Sequence, residues 1–405
     1  MLTMTIIKSV CLLLCLLGLG ASLPVAMGQH MRADFTPTVQ IGGSDLEHSS
    51  SAKVYIRNFT LSPEGTTLAI LYERGDSQAK GLWLALFDLN SRRVTNSIQM
   101  ELEPTPNSYL AAGQTQSVQF TSDGGYLIVK GVEFVSVLDT KHLALLRKFS
   151  SSDHSLAVPM RCEMNTNGSV LLIAYGAGST FSAGFHNERR EVSSDRLVAE
   201  WSSSGLMQSL SPDGKLVVAP DLRSYNAGGV AALEVLKADD GTPVKSIDTG
   251  FAFKNRRPNE SGSFIAAFTS DGTIAVSPDN MVDHSGRRSG SSIAIIDVLS
   301  GKVTRSLTAT RFVPTGELIM SPDLKYFATV GLAADEKAIR VEKKAAGLSS
   351  GLKILIGNEN AFPVAELGEL DSYGLISSQL LPCLSSDARV LAVAQDTGIK
   401  VYRRE

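Results

Sequence analysis

The nine residues LSPDGKLVV, positions 210–218, decide the fold of this chain. In a tight turn, Pro at the second position fixes φ, Asp hydrogen-bonds the local backbone, and Gly takes the left-handed conformation that the last position requires. A large apolar residue precedes the turn and a β-prone apolar run follows it. The stretch therefore predicts a strand, a tight turn and a second strand, paired as a hairpin.

The same turn phrase occurs seven times in the 405 residues: a small polar residue, a small residue or Pro, an acid or amide, then Gly in five copies. The last two copies have Leu324 and Ala388 in place of Gly. The copies begin at Ser62, Thr121, Asn165, Ser211, Thr269, Ser321 and Ser385. A large apolar residue precedes each copy: Leu61, Phe120, Met164, Leu210, Phe268, Met320 and Leu384. The chain is therefore predicted to be a series of similar hairpins.

A third apolar run usually follows the hairpin and ends in Asp before another turn, as in residues 292–302 (SIAIIDVLSGK). A fourth run such as Pro243–Ile247 or Val303–Leu307 completes the unit. The units are spaced about 54 residues apart, which suits propeller blades of four antiparallel strands. The sequence thus predicts an all-β, seven-bladed β-propeller. In the third unit, the third strand is predicted either at Thr180–Phe185 or later, at Ser193–Trp201.

Closure of the ring is predicted from the two ends of the repeat region. The seventh unit has only three runs, the third of them at Ile399–Arg403. Phe35–Ile41 (FTPTVQI) precedes the first unit and has the composition of a strand. We expect it to pair with the seventh blade as its outer strand, because an open sheet edge would otherwise remain. Residues 29–405 then form a single propeller domain.

The hairpins and the turns after the third runs, for example Asp239–Gly241 and Asp297–Lys302, resemble those of WD40-like, YVTN-type and TolB-type propellers found outside the cytoplasm. The resemblance covers nearly all of residues 29–405. It implies a propeller fold and a role as a binding platform, since few such propellers are enzymes. The sequence departs from true WD40 repeats in having neither a Trp-Asp dipeptide nor a Gly-His pair.

The first 28 residues have the layout of a secretory signal peptide. Residues 1–8 carry one Lys and no acid, and residues 9–28 carry no charge. Ala26 and Gly28 supply the small residues that signal peptidase requires before the cleaved bond. We therefore expect cleavage after Gly28 and an extracytoplasmic location, periplasmic or secreted. An uncleaved membrane anchor is the alternative.

Charge and cysteine content restrict the possible partners. The formal net charge of −3, from 38 Lys and Arg against 41 Asp and Glu, gives no preference for a polyanion, and no basic surface interleaved with aromatics is evident. We expect no nucleic acid partner, and a monomer with no membrane span after cleavage. Cys162 and Cys383 remain in residues 29–405, and we expect both to be free, buried thiols because they fall in blades three and seven.

No catalytic or cofactor motif occurs in the chain. There is no GxSxG, GxxxxGK[ST] or HExxH, and only two Trp, which excludes the Trp-rich quinoprotein dehydrogenases. None of His142, His154, His186 and His284 is spaced like a metal-binding pair. The sequence therefore predicts no metal site and no cofactor, and it assigns no catalytic residue.

The longest connections predict a binding face. They are the links between second and third strands and those between blades, which emerge on one side of the ring, and recognition commonly uses loops on a rigid scaffold. We expect a protein or cell-envelope partner to bind there. The candidate binding residues are Arg223, Tyr225, Arg256, Arg257, His284, Arg287 and Arg288.

A hydrolase is the alternative function. Propeller lactonases, which this chain resembles in repeat pattern, gather carboxylates, Arg and His around the central channel. Polar residues of the inner strands could contribute to such a site. They are Arg57, Asn58, Gln119, Arg161, Glu163 and Gln208. The competing interpretation is that these side chains line a solvated channel or pair with the backbone of a neighbouring blade.

Overall fold

The computed structural model describes most of the chain between residues 35 and 404. The predicted signal peptide, residues 1–28, lies outside the described part. The described residues are 35–46, 54–74, 82–100, 116–131, 134–150, 157–177, 185–203, 206–221, 230–253, 263–279, 281–283, 292–308, 312–314, 318–333, 352–370, 382–395 and 398–404.

Seven antiparallel sheets form the blades of a ring, and successive parts of the chain form successive blades. The described chain begins with strand β1 (Thr36–Ile41) and the short helix α1 (Gly43–Leu46). Blade 1 contains β2 (Val54–Leu61), β3 (Thr67–Arg74), β4 (Leu82–Asp88) and β5 (Arg93–Met100). Blade 2 contains β6 (Ser117–Phe120), β7 (Tyr126–Lys130), β8 (Phe134–Asp139) and β9 (Leu145–Ser150). Blade 3 contains β10 (Ala157–Met164), β11 (Val170–Ala177), β12 (Phe185–Glu191) and β13 (Arg196–Ser203).

The remaining blades follow the same order from inner to outer strand. Blade 4 contains β14 (Ser209–Leu210), β15 (Leu216–Pro220), β16 (Val230–Lys237) and β17 (Pro243–Phe253). Blade 5 contains β18 (Ser263–Phe268), β19 (Ile274–Asp279), β21 (Ser292–Asp297) and β22 (Lys302–Thr308), and the short β20 (Met281–Asp283), which follows β19 in the chain, belongs to the sheet of blade 4. Blade 6 contains β23 (Phe312–Pro314), β24 (Ile319–Met320), β25 (Tyr326–Ala333), β26 (Leu352–Asn358) and β27 (Ala365–Leu370). Blade 7 contains β28 (Cys383–Leu384), β29 (Val390–Gln395) and β30 (Gly398–Arg403).

This architecture confirms the predicted seven-bladed β-propeller with four antiparallel strands per blade. Two short strands were not predicted. β20 pairs with the outer strand of blade 4, and β23 pairs with β25 beyond the end of the inner strand β24. Among the described residues, no helix has both the length and the apolar composition needed to cross a membrane.

The third strand of blade 3 differs from both stretches considered from the sequence. It is β12, with the sequence FHNERRE, and the second stretch contributes the fourth strand, β13. β12 has no apolar alternation because Asn187 and Glu188 are buried polar residues on opposite faces of the sheet. Their burial is possible because both form hydrogen bonds, Asn187 to Ser203 and Glu188 to Arg190.

Side-chain hydrogen bonds hold the seven turns. In blade 4, the Ser211 hydroxyl donates to Asp213 Oδ1 at 2.7 Å and accepts the backbone N–H of Leu216 at 2.9 Å. Asp213 Oδ1 also accepts the backbone N–H of Lys215 at 3.1 Å. Blades 6 and 7 have the same arrangement, centred on Ser321 and Ser385. The first and third residues of the phrase therefore satisfy the backbone groups that the tight turn leaves unpaired.

The hydrogen bonds of the turn lower the pKa of the acid at its third position in blades 4 and 5. Partial burial favours the neutral form of Asp213, but the hydrogen bonds from Ser211 and Lys215 outweigh it and lower its pKa below the usual 3.8. The pKa of Asp271 in blade 5 is lowered in the same way: burial alone would raise it, but the hydrogen bonds from Thr269 and Thr273 outweigh that effect. A carboxylate with a lower pKa in the folded state stabilises the fold above pH 3.8 and loses that contribution as the pH falls through its folded pKa.

The turns of neighbouring blades are hydrogen-bonded to each other through the second residue of the phrase. Thr166 N donates to Pro212 O at 3.4 Å, Ser270 N to Leu324 O at 3.0 Å, and Ser386 N to Pro63 O at 2.9 Å. The Ser122 hydroxyl donates to Thr166 O. Every donor belongs to a blade with Ser or Thr at this position, and every bond runs to the next blade. Blades 1, 4 and 6 have Pro there, which has no N–H to donate.

Apolar packing between the faces of adjacent blades forms the core. One cluster joins Leu71 and Leu84 of blade 1 to Val118, Leu127 and Val129 of blade 2. The other clusters have the same character and join neighbouring blades around the ring. Both faces of each four-stranded sheet are thus covered, which explains the continuous apolar runs in the second and third strands.

β1 closes the ring as predicted. It pairs antiparallel with β30 from Thr36↔Arg403 to Ile41↔Ile399 and is the outer strand of blade 7. Ile41 is fully buried and packs with both blade 1 and blade 7. At Gly398, a methyl group would lie 2.4 Å from the carbonyl oxygen of Ile41, so the approach of the two strands requires a glycine.

The close approach at Gly398 gives a test of closure. We expect Gly398→Ala, or deletion of residues 29–42, to lower the midpoint of urea unfolding and to cause concentration-dependent association, because either change exposes the edge of β30. Gly42→Ala is the matched control, since a methyl there would meet only Asp45 Oδ2 at an ordinary 3.8 Å. Light scattering and urea unfolding measure both effects. A Gly398→Ala protein that stays monomeric with an unchanged midpoint would contradict this account.

A second pair of glycines separates backbone strain from contact between blades. Gly65 and Gly272 occupy the same turn position with φ of 71° and 80°. A methyl at Gly272 would meet nothing within 4 Å, whereas one at Gly65 would lie 2.8 Å from Val390 Cγ2 of blade 7. We expect Gly272→Ala to cost about 1 kcal/mol of unfolding free energy from positive φ alone. Gly65→Ala should cost at least about 1 kcal/mol more. Equal costs by urea unfolding would mean that blades 1 and 7 do not touch here.

Candidate functional site

The predicted binding face lies on the side of the ring opposite the seven turns. We call it the long-loop face, the side at which β15, β17 and β25 end. All seven predicted binding residues lie in segments 222–229, 254–262 and 284–291, outside the described residues. Their role in binding therefore remains a prediction from the sequence. They are Arg223, Tyr225, Arg256, Arg257, His284, Arg287 and Arg288.

The described strands show where two of these segments are attached. Segment 254–262 follows Phe253 at the end of β17, and segment 284–291 follows Asp283 at the end of β20. β17 and β20 pair with each other, from Phe251↔Asp283 to Phe253↔Met281. The two segments therefore leave from one short ladder between blades 4 and 5. These segments carry five of the seven predicted residues.

Amide side chains of the inner strands connect neighbouring blades. Asn58 Oδ1 accepts the backbone N–H of Val118 at 3.1 Å, which links blade 1 to blade 2. Gln208 Oε1 accepts the backbone N–H of Ala266 at 2.7 Å, which links blade 4 to blade 5. For these two residues the interpretation as partners of a neighbouring backbone is confirmed, and they have a structural role.

The ionisable residues predicted for the channel form pairs within their own blades. Arg57 Nη2 lies 2.5 Å from Glu73 Oε2, and Arg161 Nε lies 2.8 Å from Glu163 Oε1. All four side chains are partly exposed. Exposed pairs of this kind contribute little to stability and neutralise each other's charge. Gln119 is half-buried on the inner strand of blade 2.

Blade 3 holds a cluster that the sequence did not reveal. His186 and Glu188 lie two residues apart on β12, and Glu200 lies opposite Glu188 on β13. His186 Nε2 is 3.8 Å from Glu188 Oε1 and 3.7 Å from Glu200 Oε2. One ligand atom from each residue lies within 4.8 Å of the other two. We call these three residues the blade 3 cluster.

The blade 3 cluster lies on the face of blade 3 that is turned towards blade 2. Tyr175 and Ile173, the cross-strand partners of His186 and Glu188, pack against Phe149 of blade 2. Glu188 is buried with 1% of its side chain exposed, whereas 60% of Glu200 is exposed. The cluster therefore extends from the interface between the blades to the surface.

Arg190 supports the buried carboxylate. Its Nε donates to Glu188 Oε2 at 2.8 Å, and its guanidinium lies 5.1 Å from the ring centre of Phe149. Burial disfavours the Arg190 cation, but the hydrogen bond and the negative charge of Glu188 outweigh this effect and raise the pKa of Arg190. The pair keeps Glu188 oriented with Oε1 towards His186.

Sequence spacing alone could not identify the blade 3 cluster. The usual metal-binding spacings place two ligands close together in the sequence, whereas Glu200 reaches the site across a hairpin. A His-x-Glu pattern on a strand does place two side chains on one face, and this was the signal available. His142, by contrast, is in a turn, where its Nδ1 lies 3.1 Å from Asp139 Oδ2.

The two cysteines are buried and free, as predicted. Cys162 packs in the core between blades 2 and 3, and Cys383 in the core between blades 7 and 1. Burial raises the pKa of the Cys162 thiol to about 12 and also raises that of Cys383. A nucleophilic cysteine needs a lowered pKa and access to substrate, so these thiols act as packing groups.

We compared the chain with known proteins by sequence and by structure. No protein-family model matches the chain, and no curated protein matches its sequence. Among solved structures, a chain of the "Mitotic Checkpoint Complex" is 15% identical with a TM-score of 0.53, and the match covers 91% of each chain. A chain of "Kuenenia stuttgartiensis Hydrazine Synthase" is 17% identical with a TM-score of 0.49, and the match covers 86% of this chain and 95% of that one. At these identities the similarity concerns the fold alone.

The buried cysteines give a direct test. We expect the protein consisting of residues 29–405 to consume two equivalents of a thiol reagent when it is denatured without reductant, and almost none within the same time when it is native. Cys162→Ala should consume one equivalent after denaturation. If the denatured monomer had no free thiol, Cys162 and Cys383 would be joined by a disulfide. That would contradict the positions of both residues, because their blades are not adjacent.

Proposed function

We propose that this protein is an exported, non-enzymatic β-propeller that binds a protein or cell-envelope component through its long-loop face. The observation that carries the proposal is the ladder between β17 and β20. It attaches two long segments at one place on a rigid sheet, and these segments contain Arg256, Arg257, His284, Arg287 and Arg288. Loops held in this way are where propellers commonly recognise partners.

The two sides of the ring differ in a way that supports this assignment. The turn side consists of short turns that are hydrogen-bonded internally and to each other. The long-loop face has longer connections, and two extra ladders, β17–β20 and β23–β25, extend blades 4 and 6 beyond their regular strands. A partner can therefore contact the long connections without disturbing the bonds that hold the blades together.

A binding role also fits the inner strands better than hydrolysis does. Asn58 and Gln208 bind the backbone of the next blade, and the arginines of β2 and β10 pair with glutamates of their own blades. A lactonase-like site would need several of these groups to converge on one substrate atom. The chain of the "Mitotic Checkpoint Complex" that has a similar fold belongs to a protein complex, which is compatible with a binding role for this propeller.

Export is the second part of the proposal, and it rests on the first 28 residues. Their basic start, uncharged apolar stretch and small residues Ala26 and Gly28 match a cleaved signal peptide. The free thiols do not conflict with export, because both are buried in the core and, within the part of the chain that the structure describes, neither forms a disulfide.

A charge-reversal experiment tests the proposed binding face. The protein is recovered from the extracytoplasmic fraction, its intact mass is measured for cleavage after Gly28, and envelope components are cross-linked to it. Reversal of Arg256, Arg257, Arg287 and Arg288 to Glu should reduce capture of the partner at least about tenfold, because charged loop residues of an interface change both encounter and affinity.

The control reverses two charges on the turn side, half the number reversed on the long-loop face. Lys215→Glu and Arg389→Glu change exposed side chains there, 76% and 68% accessible, and should leave capture unchanged. Equal loss in both variants, or no loss in either, would refute the assignment of the face. An intact mass that includes residues 1–28 would refute cleavage of the signal peptide.

A further inference from the structure

We propose that His186, Glu188 and Glu200 bind a divalent transition-metal ion, with zinc as the best-fitting ion. This inference goes beyond the proposed scaffold function and is independent of it. One imidazole nitrogen and two carboxylates form a donor set that zinc accepts, whereas calcium and magnesium prefer sites made only of oxygen atoms. Among the described residues, this is the group of His, Cys, Asp and Glu close enough to share one ion.

The distances between the ligand atoms fit a zinc ion. Two ligands at about 2.1 Å from zinc and at a tetrahedral angle lie about 3.4 Å apart. His186 Nε2 lies 3.8 Å from Glu188 Oε1 and 3.7 Å from Glu200 Oε2. These two distances exceed the tetrahedral value by a few tenths of an ångström, and the two carboxylate oxygens lie within 4.8 Å of each other, so side-chain rotation would have to bring the carboxylates closer together on binding. All three residues lie on two paired strands, which hold their backbones in a fixed register.

The electrostatics of the blade 3 cluster favour a cation. Glu188 and Glu200 are directly opposite each other on adjacent strands, and like charges in that position destabilise a sheet. Arg190 is bound to Oε2 of Glu188, on the side away from His186. A metal ion between the three ligands would reduce the repulsion between the two carboxylates.

Arg190 also gives the site an outer layer of support. Metal-binding carboxylates are commonly hydrogen-bonded on their second oxygen, which fixes their orientation and strengthens binding. Arg190 provides this bond at 2.8 Å and is itself held against Phe149 of blade 2. Three protein ligands leave a fourth tetrahedral position for water, and solvent can reach the cluster from the side of Glu200, which is 60% exposed.

Zinc titration of the chelator-treated, tag-free protein tests the proposal. Calorimetry should show one high-affinity zinc ion per chain, and the melting temperature should rise with zinc concentration, because a ligand of the folded state stabilises it. Cobalt is a second probe. Its visible absorption should appear on binding and should be displaced by one equivalent of zinc.

The variants identify the ligands. Glu200→Gln and His186→Ala should each weaken zinc binding by about tenfold or more and should change the cobalt spectrum. Glu191→Gln is the control, because Glu191 is the next acid on β12 and pairs with Arg196 and Ser194 outside the cluster. Both ligand variants change half-buried or exposed side chains, and urea unfolding verifies that they are folded.

Two outcomes would overturn the proposal. One is the absence of stoichiometric zinc binding by the wild-type protein. The other is that Glu200→Gln and His186→Ala have the same zinc affinity and the same cobalt spectrum as the control Glu191→Gln. That result would assign the zinc to other surface groups. Capture of the partner at the long-loop face is measured separately, so failure of either proposal leaves the other in place.

Discussion

Apolar packing between the faces of neighbouring blades is the interaction on which the rest of this structure depends. Each sheet is apolar on both faces, so each blade needs a neighbour on either side to exclude water from it. The constraint passes around the ring until blade 7 meets blade 1. There β1 completes the last sheet, and Ile41 is shared by the cores of both blades.

The same constraint explains the hydrogen bonds that several polar side chains form within and between the blades. A buried polar group costs free energy unless it is hydrogen-bonded. Asn58 and Gln208 accept backbone N–H groups of the next blade, and Glu188 is paired with Arg190. Glu200 lies directly opposite Glu188 on the neighbouring strand. This pair of adjacent acids next to His186 is the arrangement on which the proposed metal site rests.

Local chemistry in the sequence was sufficient to predict the turns, the number of blades and the closing strand, because Pro, Asp and Gly impose a turn without help from the rest of the chain. It was insufficient for β12, where buried polar residues conceal the strand, and for the three residues of β20, whose pairing depends on blade 4. The blade 3 cluster was missed for a similar reason. Its third member, Glu200, reaches the site through the pairing of β12 with β13. No short sequence motif predicts that register.

The second residue of the turn phrase makes the seven repeats unequal. Ser122, Thr166, Ser270 and Ser386 each donate to the turn of the following blade, whereas blades with Pro have no such donor. Two of these blades, 1 and 4, are joined to the next blade by Asn58 and Gln208 instead. Each of these blades therefore supplies its own kind of hydrogen bond to the next one, and the group that it reaches there is always a backbone atom. A repeat moved to another place in the ring would carry its own kind of bond with it, so the type of contact at each junction depends on the blade that supplies it.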